Sequence, residues 1–169
     1  MINAVDEKKF LQLVREHQNI IHKICHLYCW NAEDKRDLYQ EITLQLWKSF
    51  PQFQGASAFS TWMYRVALNT AISQTKRRRD FVDIESQQLY ILSDQAEALE
   101  KQEELRLLYA AIGKLSKAEK AIILLWLEDK KYEDIADITG LSVKNVSVRL
   151  VRLRKKLSQL IEGIKKHGR

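Results

Sequence analysis

Turn-forming residues are scarce in this chain, which holds one proline and five glycines in 169 residues. An all-β fold needs tight turns at short intervals, many of them at positive φ, and this stock cannot supply them; long helices need neither residue. Cysteine is as scarce. The two present, Cys25 and Cys29, stand four apart, build no disulfide framework and fit a reducing compartment. The longest apolar run, 121–127, is far shorter than a bilayer span, and the polar first ten residues, with Asp6, Glu7, Lys8 and Lys9, lack the apolar stretch of a signal peptide. These absences predict an all-α, soluble, cytoplasmic protein with no direct membrane insertion. Catalytic sets are missing as well. No Gly-rich loop is available to cradle phosphate, and the histidines sit at 17, 22 and 26 and in the tail at 167, where they assemble no nucleophile, base and orienter. The expectation is a binding protein, not an enzyme, with no cofactor and no metal.

What is present is charge, unevenly spread. The net +6 hides a partition: residues 1–79 carry 12 basic and 7 acidic side chains, 80–104 carry 1 and 8, and 105–169 carry 15 and 7. Two basic segments flanking an acidic one point to a polyanionic partner touched from two sides. The acidic centre lacks helical periodicity and reads as a linker, although Phe81, Val82, Ile84, Leu89, Tyr90, Ile91 and Leu92 could dock it onto a domain. The predicted organisation is two small helical domains, 1–80 and 97–169, joined by a linker over 81–96.

In the first half, Phe10, Leu13, Val14, Ile20, Ile21, Ile24 and Tyr28 recur at three- and four-residue spacing and predict one amphipathic helix. A second helix is expected from about Asp34 to Phe50, stopped by Pro51, and a third from near Ser57 to the arginines at 77–79. In the second half a helix should end at Gly113, and Ser116 with Glu119 has capping-box spacing at the start of the next.

The strongest local pattern covers 131–154. A short apolar-faced helix (Tyr132, Ile135, Ala136, Ile138), a turn at Gly140 and a Ser142-capped helix rich in Lys and Arg together make a helix-turn-helix. Ile135, Leu141, Val146 and Leu150 can fill its core. Ser142, Lys144, Asn145, Ser147, Arg149, Arg152 and Arg154 remain for DNA, the early ones for base edges and the arginines for phosphates. The competing account is a solvated basic helix in a bundle.

Two further patterns are weaker alone. Phe59, Trp62 and Tyr64 precede Arg65, Asn69 and the run Lys76, Arg77, Arg78, Arg79, an aromatic and cationic mixture suited to single-stranded or melting DNA. Phe59 and Trp62 serve a core equally well. Asp37, Gln40, Glu41 and Leu44 fall on one helix face, which would repel DNA and so faces a protein partner or water. His22, Cys25, His26 and Cys29 also share a stretch of helix. One helix cannot wrap a tetrahedral metal with all four, and Cys25 continues the apolar face as a small hydrophobe; the spacing leaves a metal site open.

Taken in order, three stretches resemble the bacterial RNA polymerase sigma factors of the extracytoplasmic-function (ECF) group. They are Asp37-Leu38-Tyr39-Gln40-Glu41 through Leu46-Trp47, Phe53-Gln54-Gly55 through Phe59-Ser60-Thr61-Trp62-Met63-Tyr64-Arg65 to Asn69, and Leu141-Ser142-Val143 through Arg149-Leu150 to Arg152 and Arg154. The resemblance spans nearly the whole chain. It implies a region 2-like domain followed by a region 4-like helix-turn-helix domain. Asp37, Gln40, Glu41, Leu44 and Trp47 would bind core RNA polymerase. Trp62, Arg65, Asn69 and Lys76 to Arg79 would recognise and open the proximal promoter element, the 54–58 loop would lie where the family captures a flipped base, and the helix-turn-helix would read the distal element. Promoter DNA and core polymerase are the implied partners, with an anti-sigma factor a common third in the family. A stand-alone helix-turn-helix regulator would account for 131–154 alone, and a protein that only sequesters polymerase would not need two basic segments.

Overall fold

The computed structural model describes residues 3–75 and 98–167, and every regular element among them is helical. The chain divides into two compact units, Met1–Phe81 and Val82–Arg169. The expected linker, 81–96, and the basic run Lys76, Arg77, Arg78 and Arg79 lie outside the described residues.

The first unit holds α1 (Ala4–Glu16), α2 (Gln18–Tyr28), α3 (Ala32–Ser49) and α4 (Phe59–Thr75), with a 3-10 turn at Phe50–Gln52 leading out of α3. The single helix predicted across Phe10 to Tyr28 is broken at His17. There the backbone leaves helical values (φ −115°, ψ 13°), its N–H donates to the carbonyls of Leu13 and Val14 at 3.2 and 3.3 Å, and the imidazole Nδ1 lies 2.9 Å from the Leu13 oxygen. The side chain thus occupies a carbonyl at the helix end, and α2 restarts with the Ile20 N–H on the His17 carbonyl at 3.0 Å. Both apolar stripes, Phe10 and Val14 on α1 and Ile20, Ile21 and Ile24 on α2, are buried on either side of the break.

Asn31 starts α3: its Oδ1 accepts the Asp34 N–H at 2.7 Å while its Nδ2 donates to the Asp34 carboxylate at 2.9 Å, so two end groups satisfy each other. Leu38, Ile42 and Leu46, one turn apart, are fully buried where α3 packs on α2 and α4. Each contributes about 1.5–3 kcal/mol by leaving water. Their burial sets the rotation of α3, and with it which side chains face out. Ala67 and Ala71 on α4, both fully buried, let a neighbouring helix approach closely.

The second unit holds α5 (Ala98–Gly113), α6 (Lys117–Leu127), α7 (Tyr132–Thr139) and α8 (Val143–His167). Ala121, Ile122, Ile123, Leu124 and Leu125 are all buried, so α6 is apolar on every side over this stretch and packs against α5, α7 and α8. The Ser116–Glu119 capping box is formed in both directions, at 2.9 and 3.2 Å. The other end of α6 turns on Asp129, a non-glycine residue at φ 56°, with the Lys130 N–H on the Leu125 carbonyl at 3.1 Å. Gly140 takes the left-handed conformation (φ 77°) expected of the α7–α8 turn, its N–H on the Ala136 carbonyl at 2.9 Å.

A Cβ placed on Gly140 would meet nothing within 4 Å. Gly140→Ala should therefore cost only backbone strain, about 1–2 kcal/mol, and lower the thermal midpoint of the second unit without abolishing folding. A loss much larger than this would mean a packing role for the glycine.

Candidate nucleic-acid and protein-docking interfaces

On α3, burial of Leu38, Ile42 and Leu46 leaves Asp37, Gln40 and Leu44 exposed, with Leu44 43% accessible. Glu41 and Trp47 are half-buried beside them. Glu41 Oε1 accepts from Gln45 Nε2 at 2.8 Å, which holds the carboxylate along the helix. The five residues expected to form a docking face thus lie along one side of one helix. Trp47 has a second occupation: its ring meets Phe10 edge-on at 5.0 Å.

That contact opens a chain of aromatic rings. Phe10 meets Phe50 at 5.2 Å, Phe53 lies 5.1 Å from Trp62 and 5.6 Å from Phe59, and Phe59 lies 5.3 Å from Trp62. Trp62 is half-buried among Phe50, Phe53 and Phe59. Arg65, one turn on, is half-buried, and Asn69 is exposed beside α3. The loop before α4 turns at Gly55 (φ 72°) and exposes Gln54, Gly55 and Ala56.

The four residues considered for a metal have other surroundings. His22 packs on Tyr39 at 4.9 Å, and His26 Nδ1 lies 3.2 Å from the Lys35 ammonium. Burial and then the Lys35 charge hold the His26 ring below its ordinary pKa. Cys25 and Cys29 are buried free thiols; burial, with Cys29 adding to it against Lys35, pushes Cys25 up to about 12. Among the described residues no three His, Cys, Asp or Glu side chains gather as metal ligands would.

In the second unit Ile135, Ala136 and Ile138 of α7 and Val146 and Leu150 of α8 are buried, while Leu141 is half-buried in the turn between them. The Ser142 hydroxyl oxygen accepts the Asn145 N–H at 3.1 Å, so this residue caps α8. Lys144, Asn145, Arg149 and Arg152 are exposed, and Ser147 is half-buried. Arg154 is exposed, but its guanidinium lies over the Trp126 ring of α6, 4.9 Å from the centroid. Two residues missing from the sequence expectation stand in the middle of the outward face: Val148 and Val151, 41% and 67% exposed, at i+4 and i+7 from Lys144. Two β-branched apolar residues on the charged side of an amphipathic helix were the available signal.

Glu119 ties α6 to α8, its carboxylate 3.1 and 3.2 Å from the Lys156 ammonium. Burial raises this carboxyl, but the Ser116 N–H, Lys156 and the Ser116 hydroxyl outweigh it and hold the group below its ordinary 4.5. A depressed folded-state value gives stability that is present above the unfolded value and lost as pH falls through the folded one. The stability gap between the parent chain and Glu119→Gln should therefore narrow below about pH 4.5 in urea unfolding. A gap unchanged at pH 3.5 would show that the carboxylate charge contributes nothing.

Two family descriptions match the chain: Sigma-70 region 2 over residues 13–81 and Sigma-70, region 4, over residues 105–157. The ECF RNA polymerase sigma-E factor of Haemophilus influenzae is 33% identical over 173 residues, covering 94% of this chain and 90% of its own length. The sigma-E factor of Escherichia coli is 28% identical with the same coverage, and the RNA polymerase sigma factor SigV of Bacillus subtilis is 27% identical over 84% of each chain. Among solved structures, the sigma factor RpoE of Bartonella quintana, in complex with the anti-sigma factor NepR, superposes with TM-score 0.71 at 22% identity over 92% of this chain and 98% of that one. CnrH, in complex with the cytosolic domain of CnrY, superposes with TM-score 0.68 at 24% identity over 93% and 90%. These two establish likeness of fold. With both region descriptions matched in order and a relative above 30% identity along nearly the whole length, the chain belongs to the ECF group of RNA polymerase sigma factors.

Proposed function

We propose that the two units divide the work of transcription initiation, with α3 docking on core RNA polymerase while α4 and α8 engage promoter DNA. The observation that carries this is the α3 surface. Asp37, Gln40, Glu41 and Leu44 form an acidic and apolar face on a chain whose net charge is +6. Such a face disfavours DNA and suits a basic protein surface with an apolar centre, and Trp47, braced by Phe10, rims it.

Trp62 and Arg65, with the run Lys76 to Arg79, act on the proximal element. Trp62 packs in the aromatic cluster yet stays half-exposed, which leaves ring surface to stack on an unpaired base, and the exposed 54–56 loop lies close in sequence. In the second unit Lys144, Asn145 and Ser147 read the major groove, Val148 and Val151 meet thymine methyls, and Arg149 and Arg152 hold phosphates. Ser142 sets the start of the helix, and Arg154 carries its charge from a position fixed by Trp126. Two tethered contacts raise joint affinity through effective concentration. The chain acts in the cytoplasm as an initiation factor without catalysis of its own, with no cofactor. A protein of the anti-sigma class is its regulator, a reading supported by the Bartonella quintana RpoE of similar fold, which is bound to the anti-sigma factor NepR.

In vitro transcription from a genomic fragment library, with core polymerase alone and with this protein added, tests the assignment. New starts sharing two spaced upstream motifs are expected. No starts, with duplex DNA shifted by the protein alone, would instead support a stand-alone regulator.

A further inference from the structure

His17, which separates α1 from α2, also reaches a third element. Its imidazole lies 5.3 Å from the ring of Phe59, the first residue of α4, with the planes inclined at 53°. The orientation of the imidazole is set from elsewhere. Its Nδ1 is 2.9 Å from the Leu13 carbonyl oxygen, which only accepts, so Nδ1 carries the proton and donates it to the end of α1. The last torsion of a histidine is soft when nothing holds it. Tied to a helix end, this ring presents a fixed surface to Phe59.

Phe59 is placed to need one. Met63, Ala67 and Ala71, all fully buried, anchor α4 along its length, whereas Phe59 and Trp62 are only half-buried in its first turn. Their rotamers depend on contacts between rings. Phe59 meets His17 from the α1–α2 junction, Phe53 from the preceding loop at 5.6 Å, and Trp62 at 5.3 Å. Aromatic pairs favour offset and edge-on arrangements, so a displacement of Phe59 is passed to the indole beside it.

We infer that His17 is a positioning residue for the proximal-element site. Its imidazole holds Phe59, and through Phe59 the indole of Trp62, in the orientation that receives an unpaired base. His17 itself touches no DNA. The inference rests on the reading of Trp62 as the stacking residue.

His17→Asn removes the ring and keeps a side chain able to hydrogen-bond at a helix end, whereas His17→Phe keeps a ring and loses the N–H. Each full-length variant is assembled with core polymerase and titrated with a single-stranded oligonucleotide carrying the proximal motif found by library transcription. His17→Asn is expected to bind it about three- to tenfold more weakly, the factor that one aromatic pair represents. His17→Phe should recover most of the loss. Affinity for core polymerase and for distal-element duplex should be unchanged in both. With fluorinated tryptophan incorporated, the Trp62 fluorine NMR signal, assigned from Trp62→Phe, should move in His17→Asn and stay near its parent position in His17→Phe. The signal of Trp126, in the second unit, should not move. A folded His17→Asn chain with parent DNA affinity and an unmoved Trp62 signal overturns the inference. Equal loss in both variants also overturns it, since His17 would then serve only to end α1. If His17→Asn fails to fold, Phe59→Leu removes the same contact from its other side, and parent DNA affinity in that variant is equally fatal. Loss in Trp62→Ala without loss in His17→Asn removes the role of His17 alone. Retention in Trp62→Ala removes the stacking role of Trp62 with it.

Discussion

Gln40→Ala combined with Glu41→Ala is expected to lower affinity for core RNA polymerase by about 10- to 100-fold, given roughly 1.5–3 kcal/mol for a hydrogen bond to a charged group. Gln40 is exposed and Glu41 half-buried, and neither belongs to the Leu38, Ile42 and Leu46 stripe that holds α3 in place. The thermal midpoint should therefore stay within about 2 °C of the parent, since surface substitutions usually stay within about 0.5 kcal/mol. Binding of distal-element DNA should not change. Titration of labelled protein with core polymerase, followed by anisotropy, reads the affinity directly. Undiminished binding would remove α3 from the docking surface, whereas loss accompanied by a lowered midpoint would point to a folding defect.

Arg149→Ala with Arg152→Ala should produce the converse. Both side chains are exposed on α8 of the helix-turn-helix. If each neutralises a phosphate, the slope of log affinity against log salt for distal-element DNA should become shallower by about 0.9 per contact, close to two for the pair. Affinity at low salt should fall about 100-fold, with core polymerase binding preserved. A change in base preference without a change in slope would assign these arginines to base edges. Equal loss of core and DNA binding would contradict the separation of roles. Lys144→Ala offers a useful contrast, because a residue near the helix start that reads a base edge should relax specificity at one position.

The helix-turn-helix was the most legible part of the chain because its determinants are local. Gly140 is left-handed as a tight turn requires, Ser142 caps, and Ile135, Val146 and Leu150 are buried at the spacing that predicted them. The capping box at Ser116 and Glu119 was readable for the same reason. The break at His17 was not, because apolar periodicity continues smoothly through it and the interruption depends on an imidazole reaching the Leu13 carbonyl. Asp129 at positive φ was also hidden, since glycine is the residue by which such a turn announces itself. Val148 and Val151 fall outside the buried stripe of Val146, Leu150, Leu153 and Leu157, so apolar periodicity does not mark them.

By itself, the sequence determined the helical class, the caps and turns, the partition of charge and the order of segments that places the chain among ECF sigma factors. These follow from propensities, short spacings and composition, which act within a few residues. Tertiary structure decided the rest: Trp47 braced by Phe10, Trp62 joined to Phe53 and Phe59, Arg154 laid over Trp126, and the imidazole of His17 set against Phe59. Each depends on how far one helix is rotated against another. Periodicity marks the middle of a buried stripe, but residues at its edge face a neighbour or solvent only once the helices have packed.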